Sequence, residues 1–441
     1  MKINNLFLLF ISLAVCTPLF SQHKLDAYFE HLSANRKFMG SAAIIFNDSI
    51  IYSKSVGFTN AETKNLIDQN TKIRIGSITK TYTAVLVLKA VEEGKLQLTD
   101  KLYSFYPQIK NAEKITIEQL LKHRTGIINF TEIPGENKWE QSPHTEEEFI
   151  NYFVNKPSNF EPDTDFEYSN TNYALLGFIL EKIYSKSFAE ILEEKICRPL
   201  NLKNTYFSTE TDETKNEALS YNIQNRYIQN AKVNFSNHPA SGGVVSTAIE
   251  LNTFLSGLFN GKLISEKSLE LMLPKNKGEY GMGIEKLPFN NPEGYTHGGR
   301  IENYFSEYWY FPKEKIGIVT LANAVNINTE YIQMVMLQYS YGTSSELPSF
   351  NKINELSEKE FKEIAGTYTE KNKEHTVTIS SDGHKMILQN AMSGQMYIPF
   401  AYKGDNIFDY EDEIKLEFFP EKKEMKLTQG SIQEYYVKLT E

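Results

Sequence analysis

Gly76-Ser77-Ile78-Thr79-Lys80 is followed at once by Thr81-Tyr82-Thr83-Ala84-Val85-Leu86-Val87-Leu88-Lys89-Ala90. A hydroxyl at the first turn of a helix, with an amine three residues further on, places both groups on one helical face, where they can touch. The rest of the stretch is apolar almost all the way round, so the helix is expected to run through the middle of a large domain. Ser77 then sits at the positive end of a buried helix, where the helix dipole and a nearby ammonium both favour an alkoxide. Ser-x-x-Lys alone is a loose pattern and also occurs at Ser21/Lys24 and Ser349/Lys352. The reading at Ser77 rests on the apolar helix and on companions elsewhere in the chain.

Working outward, Ser41 to Phe46, the turn pair Asn47-Asp48 and Ile50 to Val56 read as a β-hairpin ahead of that helix. A short amphipathic helix is expected from His23 to Ala34. Glu93-Gly94 ends the apolar helix, with the glycine as its cap. Glu146, Glu147 and Glu148 suit the first turn of a surface helix running to Lys156. Asp165-Phe166-Glu167-Tyr168-Ser169-Asn170 precedes a helix from Thr171 to Tyr184. On extended chain, residues two apart face the same way, so Tyr168 and Asn170 can enter one cleft. The bland alternative is a core tyrosine beside a helix-capping asparagine.

Ala240-Ser241-Gly242-Gly243-Val244-Val245-Ser246-Thr247 is a small-residue loop leading into a helix through Phe254 and Leu258. It has no lysine where a phosphate loop needs one. The sheet is expected to resume at Tyr280-Gly281-Met282-Gly283-Ile284. It continues through Tyr295-Thr296-His297-Gly298-Gly299-Arg300, Tyr304 to Phe311, and Ile316 to Ala322. Gly298 and Gly299 strip side chains from an edge segment, as close approach of a substrate backbone requires. His123, beside the Thr125-Gly126 turn, could serve as a catalytic base, but it is read as holding a loop. Cys197, at a helix end before Pro199, is read as packing rather than as a nucleophile.

The chain of 441 residues is long enough for two or three domains, and 41% hydrophobic with 13% aromatic residues supplies a sizeable core. A net charge of -10 argues against a nucleic-acid surface. Residues 1–22 read as a secretory leader, with Lys2 at its start and Leu6 to Val15 as its apolar stretch. Val15 stands where acylation of Cys16 would want a small residue, and the apolar run is too short to span a bilayer of about 30 Å. Cleavage near Ser21-Gln22 leaves Cys197 as the only cysteine. The remaining chain divides into a domain over 23–342, a polar linker over 343–358 and a strand-rich domain over 359–441. The last has turns at Ser381-Asp382-Gly383, Lys403-Gly404-Asp405-Asn406 and Glu421-Lys422-Lys423, a spacing that suggests a small antiparallel β-barrel.

Ser77/Lys80, Tyr168/Asn170 and His297-Gly298-Gly299, in that order, resemble the serine β-lactamase and penicillin-binding-protein superfamily, in its class C β-lactamase-related branch of D,D-carboxypeptidases, D-aminopeptidases and esterases. Leu120 to Gly126, Ile196 to Phe207, Gly242 to Thr247 and Gly281-Met282-Gly283 also look like that family, and the likeness covers residues 35 to 325. It implies an α+β fold, an antiparallel sheet flanked by helices with a mostly helical subdomain. It also implies an acyl-enzyme on Ser77, with Lys80 and Tyr168 moving the proton. Asn170, His297, Gly298, Gly299 and Arg300 would line the substrate site, with the backbone N–H groups of Ser77 and Arg300 holding the oxyanion. For Tyr168 to act as a phenolate near pH 7, its pKa of about 10 must fall by about three units, or about 4 kcal/mol.

One motif departs from the family. Where its β-lactamases carry Lys-Thr-Gly, which grips a substrate carboxylate, this chain has His297-Gly298-Gly299. Histidine is mostly neutral at pH 7, so the expectation moves toward a peptidase or esterase acting on D-amino-acid peptides, peptidoglycan fragments or small esters and amides. Arg300, on an edge strand, is read as facing solvent. The alternatives are a weak β-lactamase and a non-hydrolysing protein that binds penicillin or wall peptides. No cofactor is called for, and the scattered histidines show no metal-ligand spacing. The expected partner is a small-molecule or peptide substrate. The expected location is the periplasm or the exterior, and the sequence leaves the oligomeric state open.

Overall fold

The structure, a computed structural model, describes residues 24–133, 139, 141–223, 226–231, 233–276, 279–288, 292–343, 347–348, 357–370, 376–381, 386–390, 398–410, 414–429 and 432–439. The expected leader, most of the expected linker and the turn residues Asp382-Gly383 lie outside them. The chain divides into two compact units. One is built from Met1–Asn222, Gln229–Val325 and Thr329–Glu346, the other from Ile223–Ile228, Asn326–Asn328 and Leu347–Glu441.

The larger unit is organised on a six-stranded antiparallel sheet. Its strands are β1 (Phe38–Phe46), β2 (Ser49–Val56), β3 (Glu285–Lys286), β4 (Tyr295–Ile301), β5 (Tyr304–Phe311) and β6 (Ile316–Val325), in the spatial order β3-β4-β5-β6-β1-β2. The hairpin read from the sequence joins β1 to β2. Asn47 and Asp48 both take positive φ, +47° and +63°, the left-handed pair whose twist matches the flanking strands.

Helices cover both faces of the sheet. Helix α1 (24–34) lays Phe29 on Phe38 and Tyr52, with ring centroids 5.5 and 6.2 Å away. Helix α2 (Thr79–Glu92) is the apolar segment of the opening motif, and it is buried nearly throughout. Its end follows the expected cap, with Gly94 at φ +68°. Helix α3 (Asn170–Tyr184) begins one residue earlier than expected, so Asn170 lies in its first turn rather than on extended chain. Helix α4 (Ala248–Phe259) packs on the Ala43/Ile45/Gly317 face. There Asn252 Nδ2 donates to the Ala43 carbonyl at 3.1 Å, and a Cβ on Gly317 would lie 2.4 Å from Asn252 Oδ1. Helix α5 (Thr329–Ser340) covers the opposite face, where Gln333 Nε2 donates to the Glu307 carbonyl at 2.8 Å. Tyr82 of α2 stacks on Phe254 of α4 with ring centroids 3.6 Å apart, tying the two helices of the front layer together.

Between Leu102 and Leu200 the chain is mainly short helices. One is Glu146–Phe153, opened by a Thr145/Glu148 capping box with three glutamates in its first turn. Among the described residues, no helix is long and apolar enough to cross a membrane.

Three local readings change. Ser77 occupies a 3₁₀ turn, Gly76–Ile78, that precedes α2 rather than forming its first α turn. The stretch from Tyr280 to Ile284 is not a strand. Gly283 is pressed against the Lys80 carbonyl at φ +69°, where a Cβ would come within 2.5 Å, and only Tyr280 bridges, to Glu285. The expected strand-rich domain over 359–441 begins instead with a helix, Glu358–Ile364, opened by a Ser357/Glu360 capping box.

In the smaller unit, eight strands run antiparallel in sequence order: β7 (Gly366–Glu370), β8 (Thr376–Ser381), β9 (Met386–Asn390), β10 (Ile398–Gly404), β11 (Ile407–Tyr410), β12 (Ile414–Phe419), β13 (Glu424–Gln429) and β14 (Ile432–Lys438). The sheet curls until β14 pairs back on β7, with Tyr368 opposite Lys438. Inward residues alternate along the strands and fill its centre with Tyr368, Val377, Ile379, Phe408, Leu416, Phe418, Met425 and Tyr436.

Candidate active site

Three distant segments meet at the N-terminal end of α2. The turn holding Ser77 is seated on strand β4: a Cβ on Gly76 would lie 2.8 Å from the Arg300 nitrogen, and one on Gly299 would lie 2.1 Å from the Ile75 carbonyl oxygen. These contacts demand glycine at both positions. They also bring the Ser77 and Arg300 backbones to one corner. Gly76 takes φ +49°, which turns the chain into the 3₁₀ turn and leaves Ser77 half-buried between two buried neighbours.

Lys80 is completely buried, and its ammonium nitrogen meets three oxygens: Ser77 Oγ at 3.0 Å, Asn170 Oδ1 at 2.7 Å and the Ser241 carbonyl at 2.7 Å. No carboxylate is among its partners. Burial therefore drives its pKa well below the ordinary lysine value. As an ammonium it donates to all three oxygens. As a neutral amine it keeps two N–H groups on the two carbonyl acceptors and turns a lone pair to the serine hydroxyl.

Asn170 is held from its other side. Its backbone N–H donates to Asn129 Oδ1 at 3.0 Å and its side-chain amide to Thr131 Oγ1 at 3.3 Å. Tyr168 lies over Lys80, with the nitrogen 4.8 Å from the ring centroid. The expected shift of Tyr168 toward a phenolate does not occur. Burial pushes its pKa up, and the Ser77 hydroxyl that hydrogen-bonds it pulls back less. Burial thus favours the protonated form of Tyr168 and the neutral form of Lys80.

His297 is buried, and both its ring nitrogens are committed. Nδ1 donates to the Gly298 carbonyl at 2.6 Å, which leaves Nε2 to accept from the Tyr280 hydroxyl at 2.9 Å. Burial, reinforced by the field of Lys80, lowers its pKa to about 3. Gly298 is exposed, and a Cβ there would meet nothing within 4 Å. Arg300 is exposed with its guanidinium 4.9 Å over the Phe305 ring, as its edge position suggests.

Two further residues enter the site, Tyr280, read from the sequence only as part of a strand, and His123, read chiefly as holding a loop. Tyr280 is delivered by glycines that cannot be replaced: a Cβ on Gly281 would lie 2.3 Å from the Met272 carbonyl oxygen. His123, at φ +55°, does hold a loop, since its Nδ1 accepts the Ser169 N–H at 3.1 Å between Tyr168 and Asn170. It is also the hub of a ring cluster, with centroids 4.4 Å from Tyr168, 4.8 Å from Tyr280 and 5.1 Å from Tyr173. Cys197 is packing, as read: its thiol donates to the Thr205 carbonyl, and burial pushes its pKa up to about 12.

The model of the family described as Beta-lactamase matches residues 25–338, most of the chain and the whole of this site. The chain belongs to the Beta-lactamase family. Protein flp of Staphylococcus aureus (strain MW2) is 28% identical over 329 residues, covering 71% of this chain and 64% of its own length. The chain thus spans under two thirds of that relative. Among solved structures, the octameric penicillin-binding protein homologue from Pyrococcus abyssi is similar with a TM-score of 0.64 at 25% identity, over 94% of this chain and 99% of that one. D-amino acid amidase from Ochrobactrum anthropi SV3 is similar with a TM-score of 0.57 at 25% identity, over 69% and 92%. In this Beta-lactamase family member, the departure at His297-Gly298-Gly299 leaves the strand beside the nucleophile turn without a fixed positive charge facing inward.

Proposed function

We propose that the protein is an exported serine hydrolase, carried across the membrane by the leader over 1–22, that forms an acyl-enzyme on Ser77. Its substrates are amides, peptides or esters whose reacting end carries no carboxylate. D-amino-acid amides and D-amino-acid-containing peptides are the foremost candidates, since a D-amino acid amidase is among the similar structures. The observation that carries this reading is Lys80, buried without a counter-ion and 3.0 Å from Ser77 Oγ.

In this cycle Lys80, neutral in its resting form, takes the Ser77 proton as Oγ attacks the acyl carbon. The oxyanion is received by the backbone N–H groups of Ser77 and Arg300. Tyr168, which keeps its proton, passes it to the leaving nitrogen or oxygen and is reprotonated from Lys80. Asn170 positions both Lys80 and the substrate amide. Water then releases the acyl group by the same route. Carboxylated substrates, β-lactams included, are poor on this reading, because the neutral His297 offers them no cation.

The test is turnover of D-phenylalanine amide and of p-nitrophenyl esters by the purified chain, with mass spectrometry of the trapped protein. Expected are ester and amide hydrolysis, an acyl mass on the peptide containing Ser77, and loss of both in Ser77→Ala. Turnover that survives Ser77→Ala would sink the proposal.

A further inference from the structure

Phe166, Tyr168, His123, Tyr280 and His297 form one continuous wall. Phe166 lies 6.0 Å from Tyr280 and 6.2 Å from His123, Tyr280 lies 5.9 Å from Tyr168, and Tyr280 lies 5.7 Å from His297, all between ring centroids. Phe166 is 46% exposed, so its ring is the member of the wall most open to a ligand. No member of the wall carries a charge near neutral pH: the two histidines are buried with lowered pKa values and the tyrosines are held protonated. The field of Glu285 acts on Tyr168 and Tyr280, which adds a penalty for any anion brought there. Beneath the wall, the buried His123 Nε2 has no hydrogen-bond partner.

We propose that this wall is the leaving-group subsite and that it selects a flat, uncharged, aromatic leaving group, as in aryl amides and aryl esters. The assignment to the leaving side rests on the function proposed above, in which Tyr168 hands its proton to the departing atom. A ring seated on Phe166 and Tyr280 gains offset or edge-to-face contact as well as apolar burial. A leaving amino acid would bring its carboxylate against apolar ring faces and into the field of Glu285.

The experiment compares three substrates with one acyl group, D-alanine: its p-nitroanilide, its simple amide and the dipeptide D-alanyl-D-alanine. Each is assayed with the wild type, with Phe166→Ala and with Phe166→Tyr, which keeps the ring and should keep the anilide preference. Expected is kcat/KM in the order anilide, amide, dipeptide. Phe166→Ala should lower the anilide value about fivefold to tenfold while leaving the simple amide within twofold. Calorimetric binding of the anilide to Ser77→Ala, weakened by adding Phe166→Ala, gives a readout independent of turnover. Equal losses on anilide and amide, or a wild-type preference for the dipeptide, would overturn the subsite while leaving the Ser77 hydrolase intact. Absence of any Ser77-dependent turnover would overturn both.

Discussion

His297 on β4 and Glu307 on β5 lie one register position apart, yet they belong to opposite layers of the molecule. His297 pairs across to Tyr308, whose hydroxyl lies 3.3 Å from Thr81 Oγ1 of α2, on the layer that carries Ser77 and Lys80. Glu307 pairs across to Gly298 and faces the layer of α5, where Trp309 Nε1 donates to its carboxylate at 2.8 Å. Burial suppresses charge on both sides, with opposite proton consequences. The histidine is kept from gaining a proton, its pKa falling to about 3. The carboxyl is kept from losing one, its pKa rising to about 7 because burial outweighs the donors from Thr329 and Trp309. In the front layer burial lowers the pKa of both His297 and Lys80, the latter beside the Ser77 hydroxyl. In the back layer the raised pKa of Glu307 makes it a pH-sensitive contributor to stability.

The largest expected effect lies in the front layer. Lys80→Met should lower kcat by at least about a thousandfold on any Ser77 substrate, because the lone base is lost while the helix stays packed. The acid limb of the wild-type rate profile should belong to Lys80, so His297→Gln should leave that limb in place. A limb that moves with His297→Gln would erase the distinction between the two groups.

The next effect is on stability in acid. Unfolded, position 297 titrates near 6.5; folded, it resists protonation down to about pH 3. The unfolded chain therefore binds the extra proton in that window, and stability falls as pH drops through it. Urea unfolding at several pH values between 3 and 7 should show His297→Gln with a flatter acid slope than wild type, by a few kcal/mol across the range.

The smallest effect runs the other way. The folded Glu307 holds a proton between about pH 4.5 and 7 that the unfolded chain has released, so stability falls as pH rises through that window. Glu307→Gln should remove up to about 3 kcal/mol of that dependence, read in the same unfolding series. Parallel slopes in the two variants would mean that the two layers do not differ in the way their burial implies.

The opening motif, the hairpin, the edge-strand glycines and the closed C-terminal sheet were legible because each is written in local spacing: three residues on a helix, two on a strand, or a turn pair with positive φ. The Ser241 carbonyl was not legible. It reaches Lys80 across 161 residues, and a backbone oxygen leaves no mark in composition. Tyr280 was visible only as a supposed strand residue, because the close approach of Gly283 to the Lys80 carbonyl, which breaks that strand, is a tertiary fact. The direction of the Tyr168 pKa shift was not legible for a related reason. Its distance from Lys80 and its burial could not be weighed before the fold was known, and burial wins.

The two neighbouring glycines on β4 differ in what they leave open to mutation. Gly299 is locked, because any side chain would collide with the Ile75 carbonyl and Ser306 Oγ, whereas a side chain at Gly298 meets nothing within 4 Å. A side chain can therefore be added at Gly298 by one substitution, Gly298→Ser, on the face shared with Glu307, without unsettling the packing around the nucleophile turn. The strand thus places a position that packing leaves free directly beside one that packing fixes.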